Sequence, residues 1–172
     1  MAGNNRPLLE AILISNEGKQ NDNTTAFPYR SGGAKNFENM KMIFLSGFGF
    51  QQINVREDMN TNVHVNKWDH KAAKTGDRVN NLDQCCLKCL IRGHDFSRTD
   101  CFLFCISTHG DQDNGVSFVW FLDDDDVGVK VNDIIDVFSD ANCPGLAGKP
   151  RILMFDACRG DAKFPGNEGC PT

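Results

Sequence analysis

Residues Cys101-Phe-Leu-Phe-Cys-Ile-Ser107, continued by Thr108-His109-Gly110, form the stretch from which the fold is read. Its first six side chains are apolar without alternation. A strand with one wet face alternates apolar and polar residues, so a continuous apolar run belongs to a strand covered on both faces, as in a parallel sheet. Ile152-Leu-Met-Phe155, within Arg151–Asp156, reads the same way. Working outward, residues 11–15, 52–56 and 116–122 supply further strand-like runs, with amphipathic stretches between them. That alternation predicts an α/β fold in which crossover helices flank a mostly parallel central sheet.

Helices are predicted over residues 37–46, 78–92 and 131–138. Phe37, Met40, Ile43 and Phe44 recur at offsets of three and four, which is one face of a helix, with Asn36 as its cap and Gly47 as its end. Val131, Ile134, Ile135 and Phe138 repeat the spacing. Residues 16–35, rich in Asn, Thr, Gly and Ser, form a loop long enough to be functional. After Cys158, Gly160, Pro165, Gly166, Gly169 and Pro171 read as a loop with no further element, so the chain reads as a piece whose completing strands come from elsewhere.

At 172 residues the chain suits one domain with a sizeable core, and its 40% hydrophobic and 24% charged residues are ordinary globular composition. A net charge of −5 without a basic stripe argues against nucleic acid as a partner. No apolar run approaches the ~18–20 residues of a membrane span, and the first residues lack the pattern of a secretory signal. A reducing, cytoplasmic setting follows, in which the eight cysteines are mostly thiols and mostly small core residues.

Two of the strand-like runs end on reactive side chains. Thr108-His109-Gly110 closes one, and Asp156-Ala-Cys158-Arg-Gly160 closes another. Ligands of open α/β sheets bind beyond the carboxyl ends of the strands, which puts a thiol and an imidazole where chemistry is done. A thiol is a strong nucleophile once an imidazole takes its proton, and the same imidazole then protonates the leaving amine. The backbone N–H groups of Gly110 and Cys158 are suited to a tetrahedral oxyanion, and glycine lets the backbone come close to a substrate.

Asp156-Ala-Cys-Arg-Gly160 resembles the Gln-Ala-Cys-Arg-Gly signature of the caspase family, and His109 lies 49 positions before Cys158, a spacing that belongs to that signature. Leu9-Glu-Ala-Ile-Leu-Ile-Ser-Asn16 is similar to the family's first strand and Arg30-Ser-Gly-Gly33 to its Arg-x-Gly loop. Gly47-Phe-Gly-Phe-Gln-Gln-Ile-Asn-Val55 resembles its second strand with the approach to it, and Leu146-Ala-Gly-Lys-Pro-Arg-Ile152 the entry to the nucleophile strand. The likeness runs collinearly through most of the chain. It implies a three-layer caspase-like sandwich spanning residues 1–172, the large catalytic part alone, without the strands of a small subunit. Residues 16–35 then form a substrate-side loop and residues 161–172 an intersubunit linker. It further implies a zymogen-derived thiol protease of apoptosis or related signalling, with no cofactor, acting on proteins after Asp. His109 and Cys158 are the catalytic pair, Gly110 and Cys158 the oxyanion donors, and Arg30 an S1 arginine suited to a bidentate carboxylate. The partners implied are protein substrates and a small subunit through which the enzyme dimerises.

Asp156 departs from the pattern, standing where the family has Gln and facing S1 by the strand's period of two. A carboxylate there repels a P1 Asp unless it is paired or protonated, and an acid at this place resembles the selector for P1 Arg or Lys in metacaspases. Both P1 classes therefore stay open, as does a catalytically silent regulator that binds a true caspase. Asn36 replaces an acid common near the Arg loop. Cys86-Leu-Lys-Cys89, with Cys85 and His94 nearby, offers one short-spaced pair where structural zinc needs four ligands, so packing is preferred and no metal is expected. Asp123 to Asp126 reads as a solvated turn or a processing site, and Trp68 and Trp120 as packing residues.

Overall fold

Strands β1 (Leu9–Ser15), β2 (Gln51–Gln52), β3 (Cys101–Ser107) and β7 (Arg151–Asp156) pair in parallel in the spatial order β2-β1-β3-β7. The computed structural model describes residues 6–16, 32–53, 68, 86–121 and 127–158. β3 is an interior strand with the bounds its apolar run predicts, and residues 102–106 are at most 1% exposed. β1 begins two residues earlier than expected, and of the second expected strand only Gln52 is paired, residues 54–56 lying outside the described residues.

The period of two divides these strands between two cores. Ile12, Ile14, Phe102, Phe104 and Ile106 pack with Leu87, Leu90, Ile91, Ile134 and Phe138 on one face. Ala11, Leu13, Leu103 and Cys105 pack with Phe37, Met40, Phe44 and Leu45 on the other. Helices α2 (Leu87–Gly93) and α3 (Val131–Val137) supply the first cover and α1 (Gly33–Lys41) the second, which makes three layers. No helix among the described residues is long and apolar enough to cross a membrane.

Three helix readings change in detail. α1 starts ahead of Asn36, on an N-cap at Gly32, and continues into a π-helical turn, Met42–Gly47. That turn, closed by Phe48 N–H donating to Ile43 O at 3.0 Å, holds an extra residue and rotates the following side chains. Phe44 and Leu45 therefore meet the sheet, while Ile43, expected on the apolar face, is turned out. α2 starts only at Leu87, because Cys86 is extended and its sulfur accepts from Cys89 N–H at 3.4 Å as a cap; residues 78–85 lie outside the described residues. His94, the other member of the weighed zinc set, meets Glu10 Oε1 at 3.1 Å. α3 ends one residue short of its predicted bound.

The run at 116–122 belongs to a different sheet. β5 (Val116–Phe121) pairs antiparallel with β4 (Gly110–Asp113) and β6 (Val127–Lys130). β4 is polar and exposed except at Gly110, so it carries no apolar signal. Its hairpin is nonetheless written in the sequence: Asn114 and Gly115 have φ of 48° and 80°, the left-handed pair that an Asn-Gly turn supplies. Trp68 is a core residue, its ring 5.7 Å from Phe121, and Trp120 lies against Gly128, where an added Cβ would come within 3.0 Å of the indole. The Asp123 to Asp126 run lies outside the described residues.

β7 corrects one more reading. Leu153 and Phe155 join the core, but Ile152 and Met154, on the α1 side, are 44% and 42% exposed, so among the described residues the strand is covered on one face only. Cys105 shows the opposite extreme. Burial, with the Asp156 charge adding to it, pushes its thiol up from 9.0 to about 11. A group that binds its proton more tightly folded than unfolded weakens folding as pH rises, here from 9.0 toward about 11. Iodoacetamide at about pH 8 is expected to leave Cys105 of the native protein unmodified, since the thiolate is the reactive species. Peptide mass mapping checks this; rapid carbamidomethylation without denaturant would contradict the burial.

Candidate active site

β3 and β7 are neighbours in register, with Ser107 opposite Asp156, and Thr108 N–H extends the ladder by donating to Asp156 O at 3.0 Å. His109 and Cys158 each stand two residues beyond that pair, at carboxyl ends of strands spaced ~4.8 Å apart. Both are half-buried. The two strand ends lie close together at Gly110. A Cβ on Gly110 would fall 2.4 Å from Cys158 O, 2.7 Å from Ala157 Cβ and 3.0 Å from Phe118 O. Only a residue without a side chain lets the His109-Gly110 segment lie against Ala157-Cys158 this closely.

The Gly110 N–H has a definite direction. Trp120 N–H donates to His109 O at 2.9 Å, which makes the Gly110–Val119 pair one of the non-hydrogen-bonded kind. In such a pair the N–H points away from the partner strand. It is therefore turned away from β5.

A polar row crosses the same edge. Ser15, Ser107 and Asp156 are successive register partners on β1, β3 and β7. The Ser107 hydroxyl, fully buried, donates to Asp156 Oδ2 at 2.6 Å, while Asp156 itself is exposed. On the other side of the strand end, Trp120 O accepts from Thr108 Oγ1 at 2.6 Å and from Asn16 Nδ2 at 3.2 Å. Asn16, Ser107 and Thr108 carry no individual signal in the sequence. The only available hint is that buried runs end on consecutive polar residues, Ser15-Asn16 and Ser107-Thr108.

The sulfur of Cys158 is disulfide-bonded, and Cys101, Cys105 and Cys143 are thiols. Arg30 and Gly160 also lie outside the described residues. Among the described residues no three metal-ligating side chains cluster. The edge thus brings together a cysteine, an imidazole, a backbone N–H turned away from its own sheet and a hydrogen-bonded carboxylate. Once the disulfide is reduced, these are the components of acyl transfer.

A family model described as a caspase domain matches residues 11–170. Caspase Dronc of Drosophila melanogaster is 40% identical over 74 residues, 41% of this chain and 16% of that protein. Caspase-6 of Gallus gallus is 34% identical over 67 residues, 39% of this chain and 20% of that protein. The crystal structure of caspase-1 from Spodoptera frugiperda superposes with a TM-score of 0.58 at 19% identity, covering 96% of this chain and 55% of that one. The chain spans about half of that solved structure, and its alignments reach a fifth or less of these two curated relatives.

Proposed function

This chain belongs to the caspase-domain family of cysteine peptidases, and on that premise we propose that it is the large catalytic part of an endopeptidase with Cys158 as nucleophile and His109 as base. The reaction begins from the reduced thiol. His109 takes its proton, the thiolate sulfur attacks the scissile carbonyl carbon, and the oxygen becomes an oxyanion facing the N–H groups of Gly110 and Cys158. Collapse expels the amine, which takes the proton from the imidazolium, and leaves a thioester on Cys158. Water, deprotonated by His109, then attacks the thioester, releasing the acid and restoring the thiol. The observation that supports this reading best is the fit of Gly110 against Cys158, where no Cβ has room.

The family resemblance of Arg30 favours Asp at P1, its guanidinium pairing with the substrate carboxylate. A second reading has an observation of its own. Ser107 donates a hydrogen bond to Asp156 Oδ2 at 2.6 Å, which holds this exposed carboxyl group in place at the strand end. A carboxyl side chain at S1 suits Arg or Lys instead. The exposed face of β7, and its place at the end of the four-stranded sheet among the described residues, support a further part of the proposal: a small subunit completes the sheet beside Ile152 and Met154 and carries the dimer contact. The enzyme acts on proteins in the cytoplasm, in apoptosis or related signalling, where the disulfide on Cys158 is kept reduced.

The chain, co-expressed with a small subunit and assayed in reductant, is expected to hydrolyse peptides after Asp, with Cys158→Ala inactive. Turnover confined to Arg and Lys peptides, converted toward Asp by Asp156→Gln, would establish the second P1 reading instead. No turnover of any peptide and no acyloxymethyl-ketone labelling of Cys158 would make the chain a silent, caspase-binding regulator.

A further inference from the structure

The described residues include four buried side chains classed as polar: Asn16, Thr99, Ser107 and Thr108, each at most 1% exposed. Thr99 serves the opposite end of the sheet, where its hydroxyl donates to Glu10. The other three stand at the edge that carries His109 and Cys158. Two of them converge on a single atom, the carbonyl oxygen of Trp120, which accepts from Thr108 Oγ1 at 2.6 Å and Asn16 Nδ2 at 3.2 Å.

That carbonyl is the acceptor which a regular β4–β5 ladder would offer to the residue before Gly110, since Trp120 N–H already donates to His109 O. With the carbonyl taken by side chains, the assigned strand ends at Gly110, and the bond from Trp120 N–H to His109 O is the last link of the ladder. Each anchor of the clamp is itself held by a neighbour. Asn16 N–H donates to Ser107 O at 2.8 Å, Thr108 N–H to Asp156 O at 3.0 Å, and the Trp120 ring is pressed on Gly128. β1, β3, β5 and β7 are all tied within three residues of the imidazole or the thiol.

We infer that Asn16 and Thr108 are positioning residues: by holding the Trp120 carbonyl they fix the His109 backbone, and through it the imidazole, relative to Cys158. The inference rests on the reading of His109 as the base of Cys158. Neither side chain is assigned contact with substrate. Each acts through Trp120, and placement errors of about 1 Å at a reacting centre cost on the order of 10²-fold.

The test uses the reduced chain with its small subunit and the variants Thr108→Val, Thr108→Ser, Asn16→Leu and His109→Ala. Thr108→Val keeps the shape of the side chain and removes the hydroxyl. It is expected to lower kcat by about 10- to 100-fold with KM within about twofold, and to move the pH profile of Cys158 alkylation toward that of His109→Ala. Thr108→Ser is expected to recover activity to within about threefold, and Asn16→Leu to follow Thr108→Val more weakly. Thermal unfolding of each variant corrects for folded fraction, because a merely structural role would lower activity only in that proportion and leave the alkylation profile alone. Wild-type kcat and an unmoved profile in Thr108→Val, with His109→Ala strongly altered, would overturn the positioning role alone. An alkylation profile that His109→Ala does not change would overturn both the dyad and the inference built on it.

Discussion

Gly110→Ala is expected to lower kcat/KM by about 10⁴-fold in a protein that still folds, the combined result of a misplaced dyad and a displaced oxyanion donor. The origin is steric. The Gly110 φ does not lie in the left-handed range, so an L-residue meets no backbone strain there. Its Cβ, however, meets Cys158 O at 2.4 Å, Ala157 Cβ at 2.7 Å and Phe118 O at 3.0 Å. Two of these are backbone atoms and the third is a Cβ, so none can swing away as a flexible side chain would. One of the two strand ends must retreat until contact distances become normal. A retreat of this kind separates the His109 segment from the Cys158 segment by up to about 1 Å, a displacement that costs on the order of 10²-fold. Loss of an aligned N–H adds a factor of about 10² or more at an oxyanion. Steady-state kinetics on the Gly110→Ala complex, with circular dichroism to confirm the fold, decide the matter. Activity within tenfold of wild type would mean that the two segments do not need their close approach.

The second large effect is on stability. Phe104→Ala is expected to cost about 3–5 kcal/mol of folding free energy, the range for deleting a buried aromatic side chain and leaving its cavity. Phe104 is 0% exposed in the middle of β3, and its ring centroid lies 5.3 Å from that of Phe138 and 5.9 Å from that of Phe155. It therefore joins the strand that leads to His109, the strand that leads to Cys158 and the end of α3. Relaxation around the cavity would have to move one of these three elements, each tied by backbone pairing or by the Arg151 guanidinium, which donates to Phe138 O at 2.5 Å. Met42→Ala is the matching control, since Met42 is 61% exposed and such a site changes stability by about 0.5 kcal/mol or less. Urea unfolding of both variants measures the contrast. Equal midpoints would show that the face formed by Phe102, Phe104 and Phe138 is not the principal core.

Local sequence was sufficient for what is continuous along the chain. The bounds of β3 and β7 are legible because each carries an unbroken apolar run that ends on a polar residue. α3 is legible from its repeat of three and four, and the strand-end placement of His109, Gly110 and Cys158 from their positions just beyond such runs. The family signature was readable too, since it is a contiguous five-residue string with a partner at fixed spacing. Tertiary structure decided what depends on distant partners. Whether Val116–Phe121 joins the parallel sheet or an antiparallel hairpin is not encoded in its period, which is two in either case. β4 has no apolar residue to announce it, and Ile152 and Met154 are exposed because nothing among the described residues lies over that side of β7. Asn16 reaches Trp120 across 104 positions, and Ser107 reaches Asp156 across 49. Propensity and periodicity act over one or two turns of chain, whereas a buried hydrogen bond chooses its partner by proximity in space, and that proximity exists only once the sheets have formed.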